Sequence, residues 1–150
     1  MKIGEICTRE VATIDANQSL REAARMMRDQ HVGDLVIVDQ HRKPTGIITD
    51  RDIVVGVLGV GLDATALAAG DITALRVAVV DEGEDVFDAV GRMRELGVRR
   101  LPVVDQSGRL VGMFTLDDFL EVMAREMREI TLIIRREQRR EVKTRMALAS

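Results

Sequence analysis

Apolar and polar positions fall in blocks along the chain, and the blocks come twice. Leu35-Val36-Ile37-Val38 is a run of apolar, mostly β-branched residues whose length suits a buried strand. The polar turn from Asp39 to Pro44 follows, then a second strand at Gly46-Ile47-Ile48, then a polar tetrad, Thr49-Asp50-Arg51-Asp52, that starts a helix. Upstream, Val11-Ala12-Thr13-Ile14 reads as a short strand. Ser19-Leu20-Arg21-Glu22 has the pattern of a capping box, and Leu20, Ala23, Ala24 and Met27 recur behind it at helical spacing.

The stretch Gly46 to Asp52 returns 66 residues later as Gly112-Met113-Phe114-Thr115-Leu116-Asp117-Asp118. Without a gap, the same offset matches Gly4 with Gly70, Asp15 with Asp81, Met27 and Arg28 with Met93 and Arg94, and Val38-Asp39-Gln40 with Val104-Asp105-Gln106. The second copy therefore predicts a strand from Val77 to Val80, a helix capped at Asp85, strands over Leu101 to Val104 and Leu110 to Phe114, and a helix from Thr115. Each unit of about 55 residues is β-α-β-β-α. The fold class is α+β (mixed α/β), with two such units packed about a pseudo-two-fold axis so that each covers apolar surface left open by the other. The expected division is 1–58 for the first repeat, 59–69 for a linker rich in small residues with little structure of its own, 70–124 for the second repeat, and 125–150 for a C-terminal helical extension.

In that extension Leu116, Leu120, Met123, Met127, Ile130 and Ile134 are spaced alternately four and three residues apart, and they predict a helix edge that packs on its own body or on a symmetry mate. The basic stretch from Arg135 to Arg145 reads as a solvated helix face supported by an i,i+4 pair of Glu141 with Arg145. Nucleic-acid binding is the weaker alternative.

Composition adds exclusions. With 150 residues, 46% hydrophobic, 31% charged and a net charge of −3, the chain has the size of one globular domain and argues against a nucleic-acid partner. Three Phe and no Tyr or Trp leave no stacking platform for single strands. No apolar run reaches the roughly 18 residues of a membrane span, and the first residues do not lead into a signal segment, so no membrane partner and a cytoplasmic location are expected. The single cysteine, Cys7, cannot form an intramolecular disulfide and reads as a small core or semi-buried residue. His31 and His41 have no counterparts in the second copy and no metal-ligand spacing. With neither a nucleophile and base nor convergent carboxylates, no enzyme, no metal and no required cofactor are expected.

Thr49 with Asp52, and Thr115 with Asp118, have the form of helix caps. Duplication sets two such helix starts in related positions, where free amides attract phosphate and an aspartate can accept from vicinal ribose hydroxyls. Arg51 adds a guanidinium suited to phosphate, whereas its counterpart, Asp117, repels it, which predicts two unequal sites. The doubled Gly-apolar-apolar-Thr-x-x-Asp signature, in register with Arg100-Leu101-Pro102-Val103-Val104-Asp105, resembles a tandem pair of cystathionine β-synthase (CBS) domains, a Bateman module, over about residues 1–124. The resemblance implies a regulatory module that senses an adenosine-containing ligand, AMP, ADP, ATP or S-adenosylmethionine, in the cleft between repeats. It implies a ribose held by Thr49 and Asp52 at one site and by Thr115 and Asp118 at the other. Adenine would lie near Val11 to Thr13 and near Val77 to Val79, and phosphate near Arg51, or near Arg99 and Arg100. Asp34 stands where the second unit has Arg100, giving the two clefts opposite charge at that entrance. A homodimer and a regulated protein partner are also implied. The alternative is a ligand-free structural dimerisation or interaction module, in which the tetrads act only as caps.

Overall fold

The structure is a computed structural model that describes residues 1–73 and 77–149. Residues up to Thr115 form one compact unit and those from Leu116 a second. In the first unit the elements run α1 (Ile3–Ile6), β1 (Thr13–Asp15), α2 (Leu20–Gln30), β2 (Asp34–Val38), β3 (Pro44–Thr49), α3 (Asp50–Gly56), β4 (Val80–Asp81), α4 (Val86–Leu96), β5 (Arg100–Val104) and β6 (Leu110–Thr115). The second unit is α5 (Leu116–Ala149).

The two predicted repeats are present as two three-stranded sheets of the same plan, β1-β2-β3 and β4-β5-β6. In each, the first strand is parallel to the second and the second antiparallel to the third. Strand β2 shows why both faces are apolar. Leu35 and Ile37 face the helices of their own repeat with Ile14, Leu20, Ala23, Met27, Ile48 and Ile53. Val36 and Val38 face the other way, into a seam with Leu110 and Met113 of the second repeat, to which Val11 and Ile47 add. A side-chain period of two thus gives one strand a share in two cores.

Helix boundaries follow their caps. Ser19 accepts from the Glu22 amide at 3.2 Å while Glu22 accepts from the Ser19 amide at 2.8 Å, and Asp85 accepts from the Phe87 amide at 2.9 Å. Both helices end on a left-handed residue at matching positions, His31 (φ 55) after α2 and Gly97 (φ 66) after α4.

Two expectations change. The first strands are shorter than the sequence suggests. Val11 is drawn into the seam between repeats, and the carbonyl of Val79 accepts from Arg92 Nη1 at 2.9 Å. The segment 59–69 is not a slack connection either. Ala64 and Leu67 pack against the first core, Ala69 is wholly buried within it, and the Leu20 amide donates to the Leu67 carbonyl at 2.9 Å.

This docking is one half of an exchange. The residues before β4 fasten to the first repeat, through Ala69 N–H to Gln18 O (2.8 Å) and Gly70 N–H to Ala16 O (2.9 Å). The residues before β1 fasten to the second, through Ile3 N–H to Glu84 O (3.0 Å) and Gly4 N–H to Glu82 O (2.8 Å). Ile3, wholly buried, occupies in this arrangement the place that Ala69 has in the other. Arg9 clamps its own leader across, bonding Gly4 O at 2.8 Å and Glu82 Oε2 at 3.0 Å.

Candidate functional site

Thr49 ends β3 opposite Asp34, the first residue of β2. The antiparallel register thus carries the polar end of one strand to the polar start of its neighbour, and α3 begins one residue later. The predicted cap forms: the Asp52 amide donates to Thr49 Oγ1 at 3.1 Å and the Thr49 amide to Asp52 Oδ2 at 2.8 Å. Two more amides of this turn are also bonded. Asp50 N–H donates to Gly33 O at 2.9 Å and Arg51 N–H to Asp50 Oδ1 at 2.7 Å. The free amides expected to attract phosphate are therefore already in use, and α3 is only seven residues long. Attraction for an anion must come from side chains instead. Among the described residues, the Arg51 guanidinium is exposed and in no ion pair, and Asp52 Oδ1 carries no hydrogen bond.

Beside them opens a cleft of about 340 Å³ lined by Arg51, Asp52, Val55, Gly56, Val57 and Ile72. Ile72 arrives from the exchanged leader, so residues from both halves of the sequence bound the space. Val55, Val57 and Ile72 were not singled out by the sequence. The signal for Ile72 was its match to Ile6 at the repeat offset.

The other expected residues lie around this centre or apart from it. Asp34 Oδ2 accepts from Arg100 Nη1 in an ion pair that ties the two repeats together at the starts of β2 and β5. The opposite charges expected at two separate entrances thus meet and neutralise one another. Val11 and Thr13 do not line the 340 Å³ cleft. Val11 sits in the seam, and Thr13 is paired with Val36 on β2. Val77 and Val79 are half-buried ahead of β4, and Arg99 is exposed just before β5. Thr115 ends β6 in register with Arg100, and Asp117 and Asp118 fall in the first turn of α5.

The signature glycines have a reason that the sequence did not reveal. A Cβ on Gly46 would stand 2.8 Å from Thr73 Cγ2, and one on Gly112 would stand 2.8 Å from Cys7 Sγ and 2.9 Å from Thr8 O. Cys7 and Thr73 occupy matching positions of the two leaders, and each leader lies directly over the other repeat's signature strand. At the second signature the approach is close enough for a two-way bridge, Thr8 N–H to Met113 O at 2.9 Å and Met113 N–H to Thr8 O at 2.8 Å.

A sequence model described as CBS domain matches residues 3–59 and again 69–125. This chain belongs to the CBS domain family, as a tandem pair. The CBS pair is 38% identical over 122 residues to an uncharacterised protein of Methanopyrus kandleri, with 81% of this chain and 62% of that protein covered. It is 33% identical to hypoxic response protein 1 of Mycobacterium tuberculosis, covering 76% of this chain and 79% of that protein. A crystal structure of Hypoxic Response Protein I with two coordinated zinc ions superposes with a TM-score of 0.73 at 31% identity, over 81% of this chain and 98% of that one. The CBS domain pair of protein MJ0100, solved with 5′-methylthioadenosine and S-adenosylmethionine, does so with a TM-score of 0.72 at 28% identity, over 84% and 98%. Among the described residues of this CBS pair, no three His, Cys, Asp or Glu side chains gather as a metal group, and no helix is long and apolar enough to cross a membrane.

Proposed function

We propose that this CBS pair is a regulatory module that binds an adenosine-containing small molecule beside α3, and that it acts as a homodimer on a protein partner. The observation that carries the reading is the cleft beside Asp52. Its 340 Å³ falls in the range of about 300–1,000 Å³ usual for small-molecule pockets, and its lining mixes the charged Arg51 and Asp52 with the apolar Val55, Val57 and Ile72. Asp52 Oδ1 serves as acceptor for a ribose hydroxyl, with Thr49 beside it. Val55, Val57 and Ile72 supply the apolar contact. Arg51 neutralises a phosphate or carboxylate on the ligand, a role that Arg99 and Arg100 would share from the start of β5, with Asp34 as the competing acceptor. Thr115 and Asp118 form the second, weaker site, since Asp117 stands where the first has Arg51. The structural relative solved with S-adenosylmethionine and 5′-methylthioadenosine supports this ligand class.

Calorimetry and thermal shift with AMP, ADP, ATP and S-adenosylmethionine test it. A ligand that binds only the native state raises the melting temperature. Asp52→Asn keeps an acceptor for the Thr49 amide but removes the charge, so it should abolish the shift at this site with little change in the unliganded melting temperature. The second reading, a ligand-free interaction module, is favoured by the full use of the α3 first-turn amides as caps. It takes over if none of the four ligands shifts the melting temperature.

A further inference from the structure

The helix α5 runs unbroken for 34 residues, about 51 Å at 1.5 Å per residue, well past the point where its apolar spacing fades. Met127, Ile130 and Ile134 are 67%, 56% and 49% exposed, and Leu120 and Leu148 are 55% and 83% exposed. On a helix these five share one stripe with Met123, Glu137, Glu141 and Thr144, at alternating steps of three and four residues. The stripe is the seam of a heptad pattern, with Ile130 and Ile134 at its middle. Charge is divided along the same helix. From Asp117 to Glu129 five acids face two arginines, and from Arg135 to Arg145 six bases face two glutamates.

We propose that α5 pairs with α5 of a second copy of this chain in antiparallel orientation, its acidic half beside the partner's basic half. The inference rests on the homodimer reading and deepens it by naming the surface and its direction. Orientation follows from the charges at and beside the seam. A parallel pair would set Glu137 and Glu141 against the same residues of the other helix, and Arg140 beside the partner's Arg145. The antiparallel pair centred on the isoleucines packs Ile130 on the partner's Ile134 and sets Glu126 opposite the partner's Arg140. Glu137 and Glu141 then face the partner's Met127 and Met123, flexible side chains beside which a carboxylate can reach water at the edge of the seam. Like charges facing one another across a seam are how helices reject the wrong orientation. Within one chain Glu126 has only a loose contact with Arg125, at 3.7 Å, and Arg140 has no ion pair among the described residues.

Sedimentation equilibrium on the full chain at low salt tests the inference. Wild type should dimerise. Ile134→Glu, on an exposed face, should weaken the dimer by roughly a hundredfold or more without unfolding the chain. Glu126→Arg and Arg140→Glu should each weaken it by about tenfold, and the two together should restore it. A monomeric wild type overturns the inference together with the homodimer reading. A dimer indifferent to Ile134→Glu overturns pairing through α5 and leaves the homodimer standing. Arg140→Glu that tightens the dimer overturns the antiparallel direction, because in a parallel pair the new carboxylate would meet the partner's Arg145. A thermal shift with S-adenosylmethionine on the Ile134→Glu chain reads the ligand site separately from the dimer.

Discussion

At Gly46 and Gly112 the neighbour, not the backbone angle, excludes a side chain, and the two neighbours differ. Gly46 is opposed by the Cγ2 and Cβ of Thr73, at 2.8 and 3.1 Å from an added Cβ, whereas Gly112 is opposed by Cys7 Sγ and also by the main-chain oxygen of Thr8. Gly46→Ala and Gly112→Ala should each cost about 1–3 kcal/mol in urea unfolding. Adding Thr73→Ser to the first removes the offending methyl and should recover most of the loss. Adding Cys7→Ala to the second should recover little, because the carbonyl remains. A titration also belongs at this scale. Asp105 accepts from the Ser107 hydroxyl at 2.6 Å and the Arg109 amide at 3.0 Å, and these bonds, with the Ser107 amide and the Arg109 charge, hold its pKa at about 2, below the ordinary 3.8. A depressed folded-state value stabilises above the unfolded one and is lost as the proton binds, so its contribution is complete above about pH 4 and fades toward pH 2. Asp105→Asn should flatten the fall in stability across that window, read from urea midpoints at each pH.

Between elements, what could be read in advance was what the chain decides locally. Ser19 with Glu22, and Asp85 before Val86, announce helix starts because cap and acceptor lie within three residues. The turn at Asp39 to Pro44 and the strands around it were legible for the same reason. The run of α5 to Ala149 agrees with the helical extension expected over 125–150, and the backbone continues through Glu137 and Glu141 although they interrupt its apolar stripe. The leaders were not legible, since their bonds join residues such as Gly4 and Glu82, and no local pattern marks the partner. The candidate site divides likewise. Thr49 and Asp52 were visible as a tetrad, but Ile72 reaches the cleft only through the tertiary exchange. Repeat comparison exposes one correctable element end. His31 holds at φ 55 the left-handed position that Gly97 fills after α4, and a Cβ is disfavoured there. His31→Gly should stabilise the chain by about 0.5–1 kcal/mol, seen as a higher urea midpoint with an unchanged slope.

For the molecule up to Thr115, the exchanged leaders make each repeat depend on the other. Starting the chain at Arg9 removes the buried Ile3 with its bond to Glu84, the bond from Gly4 to Glu82, and the bridge between Thr8 and Met113. The damage should therefore appear in the second repeat. In native-state hydrogen exchange, the amides of Val86 and Met113 should lose protection by orders of magnitude while those of β2 change least. Uniform loss across both sheets would show that the repeats open only together, and loss confined to the first would contradict the exchange.

The exchange also makes the order of synthesis matter. Residues 67–73, which close the first repeat, follow it directly off the ribosome, so that repeat can be completed as soon as they emerge. Residues 1–8 are made first and must wait for Met113, about a hundred residues later, before they have anything to seal. During that interval the nascent chain carries a folded first repeat beside an unattached apolar segment that includes Ile3 and Ile6. Residues 1–8 are thus made before the strand they seal and find their place only after it.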